Sequence, residues 1–103
     1  MGPLVNRKQY DVVRGFIQKA EAANIPVAAR GTLHPDAAAA GFYQQAVLFR
    51  DVPHDSDIAQ KEIFGPVLAA MPFDDEAEAI RLANGTDYGL VAGVWTRDGA
   101  RQF

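Results

Sequence analysis

The sequence contains no cysteine, so disulfides, thiolate metal sites and thiol nucleophiles are excluded within its 103 residues. Histidine occurs only at His34 and His54, each in loop-like sequence beside proline or aspartate. Neither has a metal-ligand spacing, and both read as solvated loop side chains. No apolar run approaches the roughly 20 residues that a membrane helix needs. Residues 1–4 show neither the basic nor the apolar region of a secretory leader. The net charge of −3 is mild and gives no basic patch for nucleic acid or an anionic membrane. Also missing are the G-x-G-x-x-G and G-x-x-x-x-G-K-[ST] phosphate loops and any Ser-His-Asp or Cys-His set. What remains is 49% hydrophobic and 22% charged, the composition of one soluble globular domain, with a cytoplasmic location expected from the lack of cysteine.

The stretch that organises the chain is IAQKEIFGPVLAAMPF, residues 58–73. It holds Glu62, a Phe64-Gly65-Pro66 turn, and an apolar run over 67–73 that reads as a buried strand. Ahead of it, a helix is expected over 2–24. Asn6 is its N-cap and Gln9 stands at the capping-box position three residues on. Val5 and Tyr10 fit a hydrophobic staple, and Tyr10, Val13, Phe16, Ile17 and Ala20 recur at helical spacing. Gly15 inside that helix suggests a close approach by another element, while Asn24 and Pro26 end it.

Strands are expected over 27–29 and 42–49, with a loop over 31–41 between them. Ser56 or Asp57 can cap a short helical turn that delivers Glu62 to a loop mouth. After the 67–73 strand, Asp75 and Glu78 form a second capping-box pattern, and Asn84-Gly85 reads as the end of that helix. Residues 90–96 (LVAGVWT) read as another buried strand. Asp98 opens a helix that stops at Phe103, so the chain is expected to be part of a longer domain. Apolar strands alternating with helices predict an α/β fold with a mainly parallel sheet. Its unit is a right-handed crossover from 67–73 through the second helix to 90–96.

Most carboxylates fall in caps and turns, whereas Glu62 precedes a Gly-Pro turn with an aromatic two residues away. One carboxylate can accept from two adjacent sugar hydroxyls, each such bond contributing about 1.5–3 kcal/mol. A neighbouring ring adds about 0.5–1.5 kcal/mol of stacking. Spacing alone leaves open a surface glutamate beside a core phenylalanine.

The run Gln60-Lys61-Glu62-Ile63-Phe64-Gly65-Pro66-Val67 resembles the E-I-F-G-P-V signature of the NAD(P)-dependent aldehyde dehydrogenase superfamily. Residues 71–98 (MPFDDEAEAIRLANGTDYGLVAGVWTRD) are similar to the helix and Y-G-L-x-x-x-V-W-T strand that follow the signature. Gly2-Pro3-Leu4-Val5 with Gln9 resembles the family's G-P-L/V stretch and its helix.

The resemblance covers nearly the whole chain. It implies a partial three-layer α/β domain over 1–103, part of the aldehyde dehydrogenase catalytic domain downstream of the nucleophile. It implies that Glu62 binds the nicotinamide-ribose hydroxyls of NAD or NADP and that Phe64 packs at the nicotinamide end. Gln9 then lies near the cofactor or serves as the capping-box partner. Lys61 and Gln45-Ala46-Val47 depart from the family's usual acid and P-T pair.

The parent activity so implied is oxidation of an aldehyde to a carboxylic acid. A cysteine forms a thiohemiacetal, hydride passes to NAD(P), and a glutamate activates water. Neither that cysteine nor that glutamate falls in this segment, so it carries no catalytic residue and no metal, and alone it is expected inactive and a weak cofactor binder. An acylating relative fits the same residues. The alternative is a free-standing non-catalytic module that self-associates through unpaired strand edges.

Overall fold

The computed structural model describes residues 1–102, and the sequence's expectations about Phe103 lie outside it. The first helix, α1, spans Arg7–Ala22. Asn6 precedes it in an extended conformation, and its side-chain oxygen accepts from the Gln9 backbone N–H at 2.8 Å, as an N-cap should. The rest of the expected start does not form. Gln9 turns its amide away from Asn6, and Val5 is 82% exposed, so neither a reciprocal capping box nor a staple closes. Tyr10 pairs instead with Phe42, ring centroids 6.2 Å apart, with the Arg7 guanidinium over both rings. Val13, Ile17 and Ala20 form the buried stripe of α1. A Cβ on Gly15 would meet nothing within 4 Å, so this glycine serves no close approach. Asn24, with φ of 58°, turns the chain out of the helix.

Three short strands follow: β1 (Val27–Arg30), β2 (Val47–Phe49) and β3 (Val67–Ala69), side by side in that order. β1 and β2 are antiparallel, with Val27 opposite Phe49 and Arg30 opposite Val47. β2 and β3 are parallel, with Leu48 opposite Leu68. The sheet is therefore mixed rather than mainly parallel. Residues 31–46 hold no helix, and β2 returns antiparallel; the link after β2 carries α2 (Asp57–Gln60), which packs against α1 and brings β3 in parallel to β2. Ser56 precedes α2, but its hydroxyl donates to the Pro53 carbonyl at 2.7 Å instead of capping.

The strand expected over 42–49 shortens to β2, because Phe42 is drawn to Tyr10 and its carbonyl accepts from Leu4 N–H at 2.7 Å. The strand expected over 67–73 shortens to β3 and is not buried, Leu68 being 68% exposed. After it, α3 spans Glu76–Ala83 with Asp75 as N-cap, its carboxylate accepting from Glu78 N–H at 2.8 Å. Glu78 reaches back to the Asp74 N–H, one residue short of a reciprocal box. Asn84 ends the helix as expected.

Residues 90–96 form no strand. Leu90 and Trp95 are 99% and 98% exposed, and the segment has no strand beside it among the described residues. The expected crossover and three-layer stack are therefore not completed within this chain. The Cα radius of gyration, 15.8 Å, exceeds the roughly 13 Å of a compact 100-residue domain, as a segment lying off the body requires. A single 3-10 turn, Gly99–Gln102, follows Asp98, whose carboxylate accepts from Ala100 N–H.

The core lies between α1 and the sheet. Val13, Ile17 and Ala20 of α1 meet Val47 and Phe49 of β2, Ile58 of α2, and Ile63 of the following loop. Val13 and Phe49 are fully buried. Each such side chain contributes about 1.5–3 kcal/mol by leaving water. Because Ile63 belongs to this core, the loop around it is pinned to the body of the domain.

Candidate functional site

The loop 61–66 leaves α2 and enters β3. Ile63 is buried at 8% exposure, while its neighbours Glu62 and Phe64 are exposed, Phe64 at 76%. One apolar anchor thus holds a carboxylate and a ring outward on either side of it. Gly65 passes directly beneath α1: a Cβ there would stand 2.5 Å from Val13 Cγ2. Only a residue without a side chain lets the loop lie so near the helix.

Phe64 has φ of 58°, the left-handed region, which costs a non-glycine residue about 1–2 kcal/mol. Gln9 offsets that cost. Its Nε2 donates to the Ile63 carbonyl at 2.9 Å and to the Phe64 carbonyl at 3.1 Å. Two neutral hydrogen bonds at about 0.5–1.5 kcal/mol each match the strain in size. The sequence offered Gln9 as a capping-box partner or, by resemblance, as a neighbour of the cofactor; in the fold its amide holds two loop carbonyls 54 and 55 positions away.

Glu62 opens onto a cleft of about 480 Å³, lined by Gln60, Lys61, Glu62, Thr86, Tyr88 and Leu90 among others. The Glu62 backbone N–H points to the Tyr88 hydroxyl at 3.4 Å. Among the described residues its carboxylate joins no ion pair, which leaves both oxygens able to accept from a ligand. No three His, Asp or Glu side chains gather as a metal set among the described residues.

His54 is not the solvated side chain its sequence suggests. It is half-buried, with Nε2 3.2 Å from the Leu82 carbonyl and Nδ1 3.0 Å from Gln60 Nε2. Gln60 also donates to the His54 carbonyl at 2.6 Å and the Gly85 carbonyl at 3.1 Å. This junction joins α2 to the end of α3 and positions the segment that carries Tyr88. Gly85 is needed there, since a Cβ would land on the His54 ring. No local pattern announces a contact spanning 28 residues. His34, by contrast, is exposed as expected.

Asp57, at the first position of α2, pairs with Lys19 of α1 and with Lys61 at 3.3 Å. Those hydrogen bonds hold its carboxyl below the usual carboxylate range. They tie α1 to the helix immediately ahead of Glu62.

The model of the aldehyde dehydrogenase family matches residues 1–103. A betaine aldehyde dehydrogenase of Agrobacterium fabrum is 42% identical over 101 residues, covering 98% of this chain and 20% of that protein. A crystal structure of a Burkholderia cenocepacia protein assigned to the aldehyde dehydrogenases is 59% identical with a TM-score of 0.95, covering 98% of this chain and 21% of that one. An aldehyde dehydrogenase of Mycobacterium tuberculosis, solved with NAD+, is 41% identical with a TM-score of 0.89, covering 99% of this chain and 21% of that one. The chain belongs to the aldehyde dehydrogenase family. It spans about a fifth of the length of the curated relatives it matches.

Proposed function

We propose that this chain supplies the nicotinamide-ribose contacts of an NAD-dependent aldehyde dehydrogenase, as the part of the catalytic domain that follows the nucleophile. One observation carries the reading: buried Ile63 pins a loop that sets Glu62 in the lining of a cleft and holds the Phe64 ring out in solvent two residues on. The NAD+ complex of the Mycobacterium tuberculosis relative supports the choice of cofactor. In this reading the Glu62 carboxylate accepts from the two ribose hydroxyls and fixes the rotation of the sugar. Phe64 covers one face of the attached ring and keeps water from that side. The bound nicotinamide supplies the hydride acceptor. Holding the ring in a near-attack position is what these residues add to the rate. The chain by itself, lacking any thiol, is then inactive.

The test is Glu62→Gln in an aldehyde dehydrogenase polypeptide that carries these residues, for instance the Mycobacterium tuberculosis enzyme with its matching segment exchanged for this one. The variant is expected to weaken NAD+ binding or slow the single-turnover hydride step about tenfold, the equivalent of one charge-assisted bond at about 1.5 kcal/mol. Unchanged cofactor affinity and unchanged single-turnover kinetics would refute the assignment.

Exposed Leu68, Leu90 and Trp95 favour a second reading, a non-catalytic module acting through association. It predicts dimers or larger species of the 103-residue chain in sedimentation, and a Glu62→Gln variant that behaves as the parent does.

A further inference from the structure

We infer that Gln9 is the positioning residue of the 61–66 loop: it holds the Ile63 and Phe64 carbonyls from α1 and so fixes Phe64 in its left-handed conformation. The inference rests on the reading of Glu62 and Phe64 as cofactor contacts, and it gives Gln9 a role that acts through them.

The geometry is specific to glutamine. Both partners are carbonyl oxygens, so the side chain must present two N–H donors at its tip. Its own backbone N–H is capped by Asn6, which sets Gln9 in the rigid first turn of α1. Asparagine keeps the amide but is one methylene too short to reach both carbonyls. Glutamate has the reach but would set a carboxylate against two carbonyl oxygens. Methionine keeps the volume and offers no donor. The loop meets α1 through the Gln9 amide on the carbonyls, through Gly65 against Val13 and through Ile63 in the shared core, and of these only the first is polar and directional. Without it, Phe64 is free to leave the positive-φ region, and the ring and Glu62 lose their fixed relation.

The experiment uses the same exchanged enzyme and reads NAD+ affinity by calorimetry, kcat and KM separately, and the melting temperature. Gln9→Met and Gln9→Asn are expected to raise the NAD+ dissociation constant about tenfold, the equivalent of one to two lost hydrogen bonds. Gln9→Glu is expected to raise it further. In a background already carrying both Glu62→Gln and Phe64→Ala, Gln9→Met should add little, because the contacts it positions are gone. Gln9→Met with unchanged affinity overturns the inference, as does a full additional loss in that background, which would mean that Gln9 acts on the cofactor directly. A lowered melting temperature with unchanged affinity also overturns it, since that marks a purely structural bond. If Glu62→Gln and Phe64→Ala themselves leave affinity unchanged, it is the cofactor reading that fails. If they weaken binding while Gln9→Met does not, only the role of Gln9 falls.

Discussion

Gly65→Ala inserts one methyl group between the loop and α1. Its Cβ would stand 2.5 Å from Val13 Cγ2 and 3.0 Å from Val13 Cγ1, against about 3.5–4.0 Å for a relaxed carbon contact. Val13 cannot give way easily. It is fully buried, and a β-branched side chain in a helix has one strongly preferred rotamer. Overpacking of this kind costs about 1–3 kcal/mol. Gly65 does not have a positive φ, so alanine suffers no backbone strain there and recovers about 0.4–1 kcal/mol through the unfolded chain. Taking the middle of both ranges, the net loss is about 1.3 kcal/mol, or a fall in melting temperature of roughly 5–10 °C for a domain of this size. Far-UV circular dichroism of the 103-residue chain reads it directly. Adding Val13→Ala vacates the space that the new methyl enters, so the double variant should be more stable than the sum of the two single losses by about 1 kcal/mol. Melting of Gly65→Ala within about 2 °C of the parent, or strict additivity with Val13→Ala, would refute the packing argument.

Other consequences are simpler to check. Asn6→Ala removes the side-chain cap of α1 and should cost about 1 kcal/mol by denaturant titration, while Asn6→Asp should keep the cap. The Asp57 carboxyl is held below its usual range in the folded chain by Lys19 and Lys61, so the unfolded state takes up its proton first on acidification. Its stabilisation is therefore present above about pH 4 and is lost as pH falls through the lowered folded value. Asp57→Asn should flatten that acid limb in a pH series of melts and leave the neutral limb of the parent's curve unshaped by this group.

Local signals told most of the helices. The Asn6 cap, the apolar stripe of α1, the Asp75 cap and the Asn84 end are each decided within one or two turns of chain, and each stands where the residues place it. The strands were legible only in part. Residues 42–46 and 90–96 have strand composition, but a strand needs a neighbour to bond with. Phe42 is taken by Tyr10, and 90–96 has no strand beside it among the described residues. The direction of β2 was likewise hidden, since it depends on what the 31–46 connection can carry. At the candidate site the motif marked Glu62 and Phe64, whereas the grip of Gln9 on the loop and of Gln60 on His54 and Gly85 depends on pairs brought together only by the fold. Phe64 itself shows why: nothing in its neighbours forces a positive φ, and only the contacts on either side of it do.

The chain's single tryptophan, Trp95, stands in water at 98% exposure, away from the core. Its fluorescence should accordingly be red-shifted and open to collisional quenchers before any unfolding begins. A denaturation curve followed by that emission would stay nearly flat while the Val13–Phe49 core came apart. The same indole would turn blue and become protected at the moment a neighbouring strand covered residues 90–96. Trp95 emission would therefore report cover of residues 90–96 rather than the unfolding of the core.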